Sequence, residues 1–181
     1  MNLTKHIYSV DVKYNEWYFN PVKRRGIMEF SIREFSEKDA KEICNWRYDN
    51  EYSIYNLPTF EIAKELGFGF TDELTRNREF KSLYNYDELI CYFRLVEKEN
   101  EFTFGIGLKP NYCGKGHSKS IMPIILDYTK IYCNNKPIKL IVRNFNIRAI
   151  HVYKKFGFKE LDLKSIKTPQ GKAEFLTMIK S

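Results

Sequence analysis

Two glycines on either side of a lysine, lying between a strand-like run and a helix-like run, constrain this chain more than any other feature. The stretch reads Leu108-Lys109-Pro110-Asn111-Tyr112-Cys113-Gly114-Lys115-Gly116-His117-Ser118-Lys119-Ser120. Before it, Phe102 to Leu108 is apolar; after it, Ile121, Ile124, Ile125, Tyr128 and Ile131 recur at helical spacing. The loop therefore joins a strand to a helix. Gly114 and Gly116 leave the backbone without Cβ atoms where successive N–H groups turn outward. A helix start also has unpaired N–H groups and the positive end of the helix dipole. Such a loop can cradle phosphate oxygens, with Lys115 and Lys119 adding charge at the rim. It is neither a Walker loop nor a dinucleotide fingerprint, because His117 follows the second glycine and no third glycine completes the pattern.

A chain of 181 residues with 43% hydrophobic composition suits one domain. It has no long apolar run and no secretory leader pattern, so a soluble cytoplasmic protein is expected. Cys44, Cys91, Cys113 and Cys133 lack metal or disulfide spacing, and His6, His117 and His151 are scattered. No metal site is indicated. The net charge of +7 is unevenly spread: residues 109–181 hold 15 Lys and Arg against 4 Asp and Glu, whereas residues 28–108 hold 10 against 17. Such a chain can offer one half to a polyanion and the other to a cation. A compositional bias toward lysine explains the same numbers.

Residues 1–27, with Tyr8, Tyr14, Trp17 and the Lys23-Arg24-Arg25 cluster, show no period and read as an extension of unknown role ahead of a domain at 28–181. Phe30 to Phe35 alternates like a half-buried strand. Ser36 with Asp39 resembles a capping box, and Ala40, Ile43, Cys44 and Trp46 continue on one helical face. Pro58 opens a short second helix through Glu65. In the polar and aromatic loop between these helices, Asp49, Glu51, Tyr52 and Tyr55 are candidate substrate contacts. After Gly67 and Gly69 comes another polar segment, then three runs, Phe80–Tyr84, Leu89–Val96 and Phe102–Leu108, joined by short turns as in an antiparallel meander. Pro123 should kink the helix after the glycine loop or loosen its first turn. Ile138 to Val142 is a strand; Asn146 caps a helix whose end is marked by Gly157; Phe158–Leu163 and Ala173–Ile179 close the chain around Thr168-Pro169-Gln170-Gly171. The order implies an α+β architecture, a mixed sheet flanked by helices.

Two stretches together resemble the GNAT superfamily of acetyl-CoA-dependent N-acyltransferases, from about Glu29 to the C-terminus. The first is the glycine loop, with Pro110, Gly114 and Gly116. The second is the spacing of Val142, Asn146, Ala149, Tyr153, Gly157 and Phe158. The resemblance implies a mostly antiparallel sheet of six to seven strands with about four helices, splayed beside the glycine loop. It also implies acetyl-CoA as acyl-donor cosubstrate. Backbone N–H groups of Cys113, Gly114, Lys115, Gly116, His117 and Ser118 would hold the diphosphate. The strand edge at Ile106 and Leu108 would pair with the pantetheine amides, Asn146 would touch the cofactor arm, and Tyr153 would protonate the departing thiolate. Asn111 and Ser118 depart from the family pattern at positions commonly held by Gln or Arg and by a small residue.

Acyl transfer also requires a neutral amine, and an alkylammonium with a pKa of about 10.4 is mostly protonated at pH 7. Glu101 is the first choice for a carboxylate that collects that proton, and Glu88 the second. The reaction read from these residues is direct transfer of an acetyl group to a primary amine of a small molecule or protein. A catalytically silent acyl-CoA-binding module and a nucleic-acid binder using the basic half are the alternatives; neither membrane nor nucleic acid is expected as a partner. Quaternary state stays open, a homodimer included.

Overall fold

The computed structural model describes residues 29–168 and 170–181. The extension at 1–27, its basic cluster, and Pro169 of the closing turn lie outside the described residues. Seven strands form a single sheet: β1 Phe30–Glu34, β2 Phe80–Asn85, β3 Glu88–Glu97, β4 Phe102–Leu108, β5 Ile138–Arg143, β6 Lys159–Thr168 and β7 Gly171–Lys180. Their order across the sheet is β1-β2-β3-β4-β5-β7-β6. Only β4 and β5 run parallel; every other neighbouring pair is antiparallel. The mostly antiparallel mixed sheet read from the sequence is the one observed.

Five α-helices accompany it: α1 Glu37–Ile43, α2 Phe60–Glu65, α3 Glu73–Glu79, α4 Ser118–Tyr132 and α5 Ile147–Lys155. The capping box at Ser36 and Asp39 forms at the start of α1. Asp39 also accepts hydrogen bonds from the Ser82 and Tyr84 hydroxyls, so one buried carboxylate caps a helix and pins it to β2. Helix α3 was not expected. Its sequence, Glu-Leu-Thr-Arg-Asn-Arg-Glu, has no apolar stripe, and it is held instead by an Asp72 cap and by buried Arg76 and Glu79. Pro123 falls inside α4, which runs unbroken from Ser118 to Tyr132, and the turn before it is irregular, the Lys119 and Ser120 N–H groups bonding three residues back to Gly116 O and His117 O. Pro123 lies on its exposed side, where water can take the carbonyl that the proline ring leaves without a donor.

Strand alternation divides the apolar residues between two cores. Phe93, Phe104, Leu140 and Met178 join Ile121, Ile125 and Ile150 of α4 and α5 in the larger one. Phe35, Ile43, Trp46, Ala63, Phe70 and Phe80 form the other, with Tyr92 packed against it. There the Tyr92 ring crosses β4 at Gly107: a Cβ at that position would lie 2.2 Å from Tyr92 Cε1. Phe35 and Trp46, both with ring centroids 5.9 Å from that of Tyr92, leave the ring little room to retreat.

Gly107→Ala should therefore cost about 1–3 kcal/mol of stability through overpacking. In urea denaturation, pairing it with Tyr92→Leu should recover part of that loss; simple additivity of the two changes would refute the clash.

Candidate functional site

The backbone of β4 sets the geometry. In an antiparallel ladder, alternate residues turn their peptide groups to alternate neighbours. The Lys109 N–H donates to Ile90 O of β3 at 2.8 Å, and the Phe102 N–H donates to Pro137 O on the opposite side at 2.8 Å. These two bonds fix the phase: Phe102, Phe104, Ile106 and Leu108 direct their peptide groups toward β5. Yet β5 pairs with β4 only at Phe102–Ile138 and Thr103–Lys139. Beyond that point the two strands part, and the peptide groups of Ile106 and Leu108 face the gap. One acceptor there is already engaged, since the Tyr48 hydroxyl donates to Leu108 O at 2.9 Å.

At the mouth of the gap lies the glycine loop. Its first arm is a 3-10 turn, Pro110–Tyr112, after which the Cys113 N–H donates to Pro110 O at 3.0 Å. Gly114 and Gly116 adopt φ of +72° and +79°, between Cys113 at −72° and His117 at −61°. Left-handed glycines set between residues of negative φ, Cys113 extended and His117 right-handed, curl the loop so that its N–H groups can form an anion nest. The N–H groups of Lys119 and Ser120 are engaged by Gly116 O and His117 O. Those of Gly114, Lys115, Gly116, His117 and Ser118 have no backbone acceptor among the described residues. The set expected from sequence thus loses one member: the Cys113 amide is already bonded within the turn. Its thiol, raised by burial, approaches Leu108 O at 3.5 Å and belongs to the loop's own packing.

Glu88 anchors this arm. It accepts from the Tyr112 hydroxyl at 2.7 Å and pairs with Lys109 at 3.0 Å, and Lys109 also reaches Glu42 at 3.3 Å. The Tyr112 hydrogen bond, followed by the contact with Lys109, holds the Glu88 carboxyl below the usual carboxylate range. Glu88 is thereby a strut rather than a proton acceptor.

The other wall is α5. Asn146 caps it, its Oδ1 accepting from the Ala149 N–H at 3.1 Å, while its Nδ2 donates to the Tyr55 hydroxyl at 3.2 Å. Two turns on, Tyr153 packs edge-on against Phe158 with centroids 5.7 Å apart. Burial, with smaller contributions from Tyr55 and Cys91, pushes the Tyr153 phenol well above its ordinary value. These partners place the phenol between β3 and the turn that carries Tyr55. A neutral phenol so placed can donate a proton at physiological pH.

Of the four loop candidates, Tyr52 and Tyr55 pack against Phe145 with ring centroids 5.8 and 6.3 Å away, the first tilted and the second stacked, whereas Asp49 and Glu51 stay exposed at the start of the 3-10 turn Asn50–Tyr55. Glu101 is a correction. It precedes β4 at the end remote from the glycine loop, roughly 20 Å away at about 3.3 Å per residue, and is paired with Lys139 at 3.1 Å. It cannot serve chemistry beside Tyr153.

Arg148 is the residue that reasoning from sequence missed. Its guanidinium stacks on Tyr52 at 4.0 Å, and its Nη1 lies 3.3 Å from the position a Gly114 Cβ would occupy. A signal existed: a cation in the first turn of a helix opposes the helix dipole, and α5 carries no acid there to offset it.

Among solved structures, the chain resembles a spermidine N-acetyltransferase SpeG chimera from Vibrio cholerae and hSSAT, with a TM-score of 0.69 and 22% identity over 83% of this chain and 93% of that one. A GNAT-family acetyltransferase from Bacillus anthracis gives 0.68 and 16% over the same shares. The dodecameric spermidine N-acetyltransferase from Vibrio cholerae gives 0.64 and 22%, over 83% of this chain and 92% of that one. The fold is that of the GNAT acetyltransferases. No family model and no curated protein matches the sequence.

Burial raises the phenols of Tyr48, Tyr84, Tyr92 and Tyr153, that of Tyr92 to about 12. Below the unfolded value of about 10 these groups are protonated in both states, and above it the unfolded chain releases protons that the native chain retains. Stability should thus begin to fall at about pH 8.5, where the unfolded chain ionises the thiols of Cys44, Cys91, Cys113 and Cys133 that burial raises in the native one, and fall more steeply above 10, by up to about 1.4 kcal/mol per pH unit for each such group. Urea midpoints should show the decline, and Tyr153→Phe should reduce its slope; an unchanged slope would contradict the assigned burial.

Proposed function

We propose that the protein is an N-acetyltransferase that moves an acetyl group from acetyl-CoA to a primary amine of a small molecule or protein by direct transfer. The observation that carries this reading is the gap between β4 and β5, faced by the peptide groups of Ile106 and Leu108 and followed in the chain by the glycine loop, with the buried phenol of Tyr153 on α5. The residues fit the group. Free N–H donors from Gly114 to Ser118 suit a diphosphate, and φ near +75° at both glycines excludes side chains from the cradle. The Ile106 peptide and the Leu108 N–H, in strand geometry with no strand beside them, suit the amides of a pantetheine arm. When bound, the thioester supplies an activated acetyl group.

The chain's own part is positioning and proton delivery. Holding amine and thioester in attack geometry supplies much of the rate. Tyr153 donates its proton to the leaving sulfur, and the environment that raises its pKa keeps that proton in place until thiolate develops. Asn146, tied to both Ala149 and Tyr55, keeps the first turn of α5 against the gap. Arg148 brings a fixed positive charge and a planar fork to the nest, suited to phosphate oxygens. The amine loses its proton to solvent or to a group of the acceptor itself. Four free cysteines, three of them buried, suit the reducing cytoplasm where we place this activity.

The test is release of free CoA thiol over a panel of amines. At least one amine should turn over. With the best of them, Tyr153→Phe should lower kcat by about 10²–10⁴ with little change in acetyl-CoA affinity; full turnover by that variant would remove the assigned donor. Arg148→Gln should weaken CoA binding about tenfold in calorimetry and flatten its salt dependence, leaving kcat at saturation within a few-fold of the parent. No CoA binding by the parent chain would overturn the reading altogether.

A further inference from the structure

Helices α1 and α2 cover only part of one sheet face, packing on β2 and β3 through Ile43, Ala63, Phe80 and Leu89. Strand alternation shows what lies on the rest of it. Ile138, Leu140 and Val142 of β5 and Leu176 and Met178 of β7 are buried with α4 and α5 in the larger core, so Ile141, Arg143 and Phe175 face the opposite way. Ile166 of β6, opposite Ala173, shares their side. This floor is open: Ile141 is 54% exposed and Ile166 38%.

At one end of the floor stands a cation with no acid. Arg143 is the last residue of β5, well past Lys139, where pairing with β4 stops. Its guanidinium lies over the ring of Phe175, its register partner on β7, at 4.7 Å. Among the described residues no carboxylate pairs with Arg143, whereas the lysines of the same floor are matched, Lys139 with Glu101 at 3.1 Å and Lys164 with Asp162 at 2.9 Å. Burial raises the Tyr55 phenol, and the hydrogen bond from Asn146 and the charge of Arg143 pull the other way. Arg143 is thus within electrostatic reach of Tyr55. Tyr55 in turn bears on Tyr153, whose phenol burial raises first of all.

We propose that the acceptor is an amine that also carries a carboxylate, and that Arg143 holds the carboxylate. The inference rests on the acyl-transfer reading and names its substrate class. A guanidinium presents parallel N–H donors that a carboxylate takes as a pair, and stacking on Phe175 leaves the edge of that fork free. The apolar surface of Ile141 and Phe175 suits the carbon frame between the two groups, and the amine end extends past Tyr55 toward the Tyr153 phenol. A polyamine finds no free acid on the floor itself, because Glu101 and Asp162 already hold lysines. In the transfer the amide N–C bond forms as the thioester C–S bond breaks. The acceptor ammonium sheds two protons, one to solvent and one that replaces on Tyr153 the proton given to sulfur; its carboxylate is unchanged. A free amino acid and a short peptide offer the same chemistry.

Thiol release from acetyl-CoA with matched acceptors tests it: free amino acids, the corresponding amino-acid amides, dipeptides, dipeptide amides and spermidine. The best acid should exceed its own carboxamide in kcat/KM by at least about tenfold, and whether it is an amino acid or a dipeptide separates the two sources. Arg143→Gln should bring that ratio close to one by raising the KM of the acid, with CoA affinity in calorimetry within a few-fold of the parent, and Arg143→Lys should keep part of the preference. A loss that falls equally on acid and amide marks a structural part for Arg143 and overturns the proposal. So do equal turnover of acids and amides by the parent chain, a preference untouched by Arg143→Gln, and spermidine as the best substrate; each of these leaves acetyl transfer standing. A chain that binds CoA yet acetylates no amine of any kind removes the acyl-transfer reading itself, and this substrate class with it.

Discussion

The parting of β4 from β5 is the constraint on which the rest of this molecule depends. A strand in a sheet interior has its peptide groups paired on both sides, and leaving them unpaired in a partly buried place is costly. Here the ladder stops after Thr103 and Lys139, and the neighbouring elements accommodate the break. Tyr48 satisfies the last carbonyl of β4. The peptides of Ile106 remain directed at the gap, where an extended polar ligand can complete the missing strand. On α5, Tyr153 is buried and packs edge-on against Phe158.

Charge is distributed to match this arrangement. The acidic and basic portions of the sequence are not two opposed faces; they are stitched together at the site. Lys109, which heads the basic portion, is held by Glu42 and Glu88 of the acidic one, and that pair of contacts anchors the first arm of the nest. Lys136, Lys139, Lys154 and Lys164 are likewise engaged by carboxylates. Arg148 has a ring rather than a carboxylate for its neighbour. A guanidinium on a tyrosine face keeps its donors available at the edge, which is where an anion in the nest would meet them.

Much of this was legible in the sequence because it rests on short-range signals. The capping box of α1, the Asn146 cap and Gly157, which adopts φ of +88° just past α5, are decided within a few residues. The paired glycines likewise announce a loop that only glycines make readily. What failed rests on distance. Glu101 is adjacent in sequence to the strand that lines the gap, but a strand carries its two ends far apart, and the charge at its start cannot serve chemistry at its finish. Helix α3 carries no amphipathic period because its buried face is ionic: Glu79 receives Arg94 at 2.6 Å and Arg78 at 2.7 Å. Tyr48 and Arg148 act across the chain on β4 and on the glycine loop, and periodicity holds no trace of such contacts.

The aromatic layer over the gap shows how few groups fix its width. Tyr52 and Tyr55 arrive from a 3-10 turn, an element with weaker internal hydrogen bonds than an α-helix, so the layer is steadied mainly by what it touches. Those contacts are Phe145, Asn146 and Arg148, three residues within four positions at the start of α5. Tyr48, eight residues before Asn56 and tied to it through both backbone groups, secures the other end to β4. The segment thus spans from the edge of β4 to α5 and bridges the two walls that the sheet itself leaves unconnected.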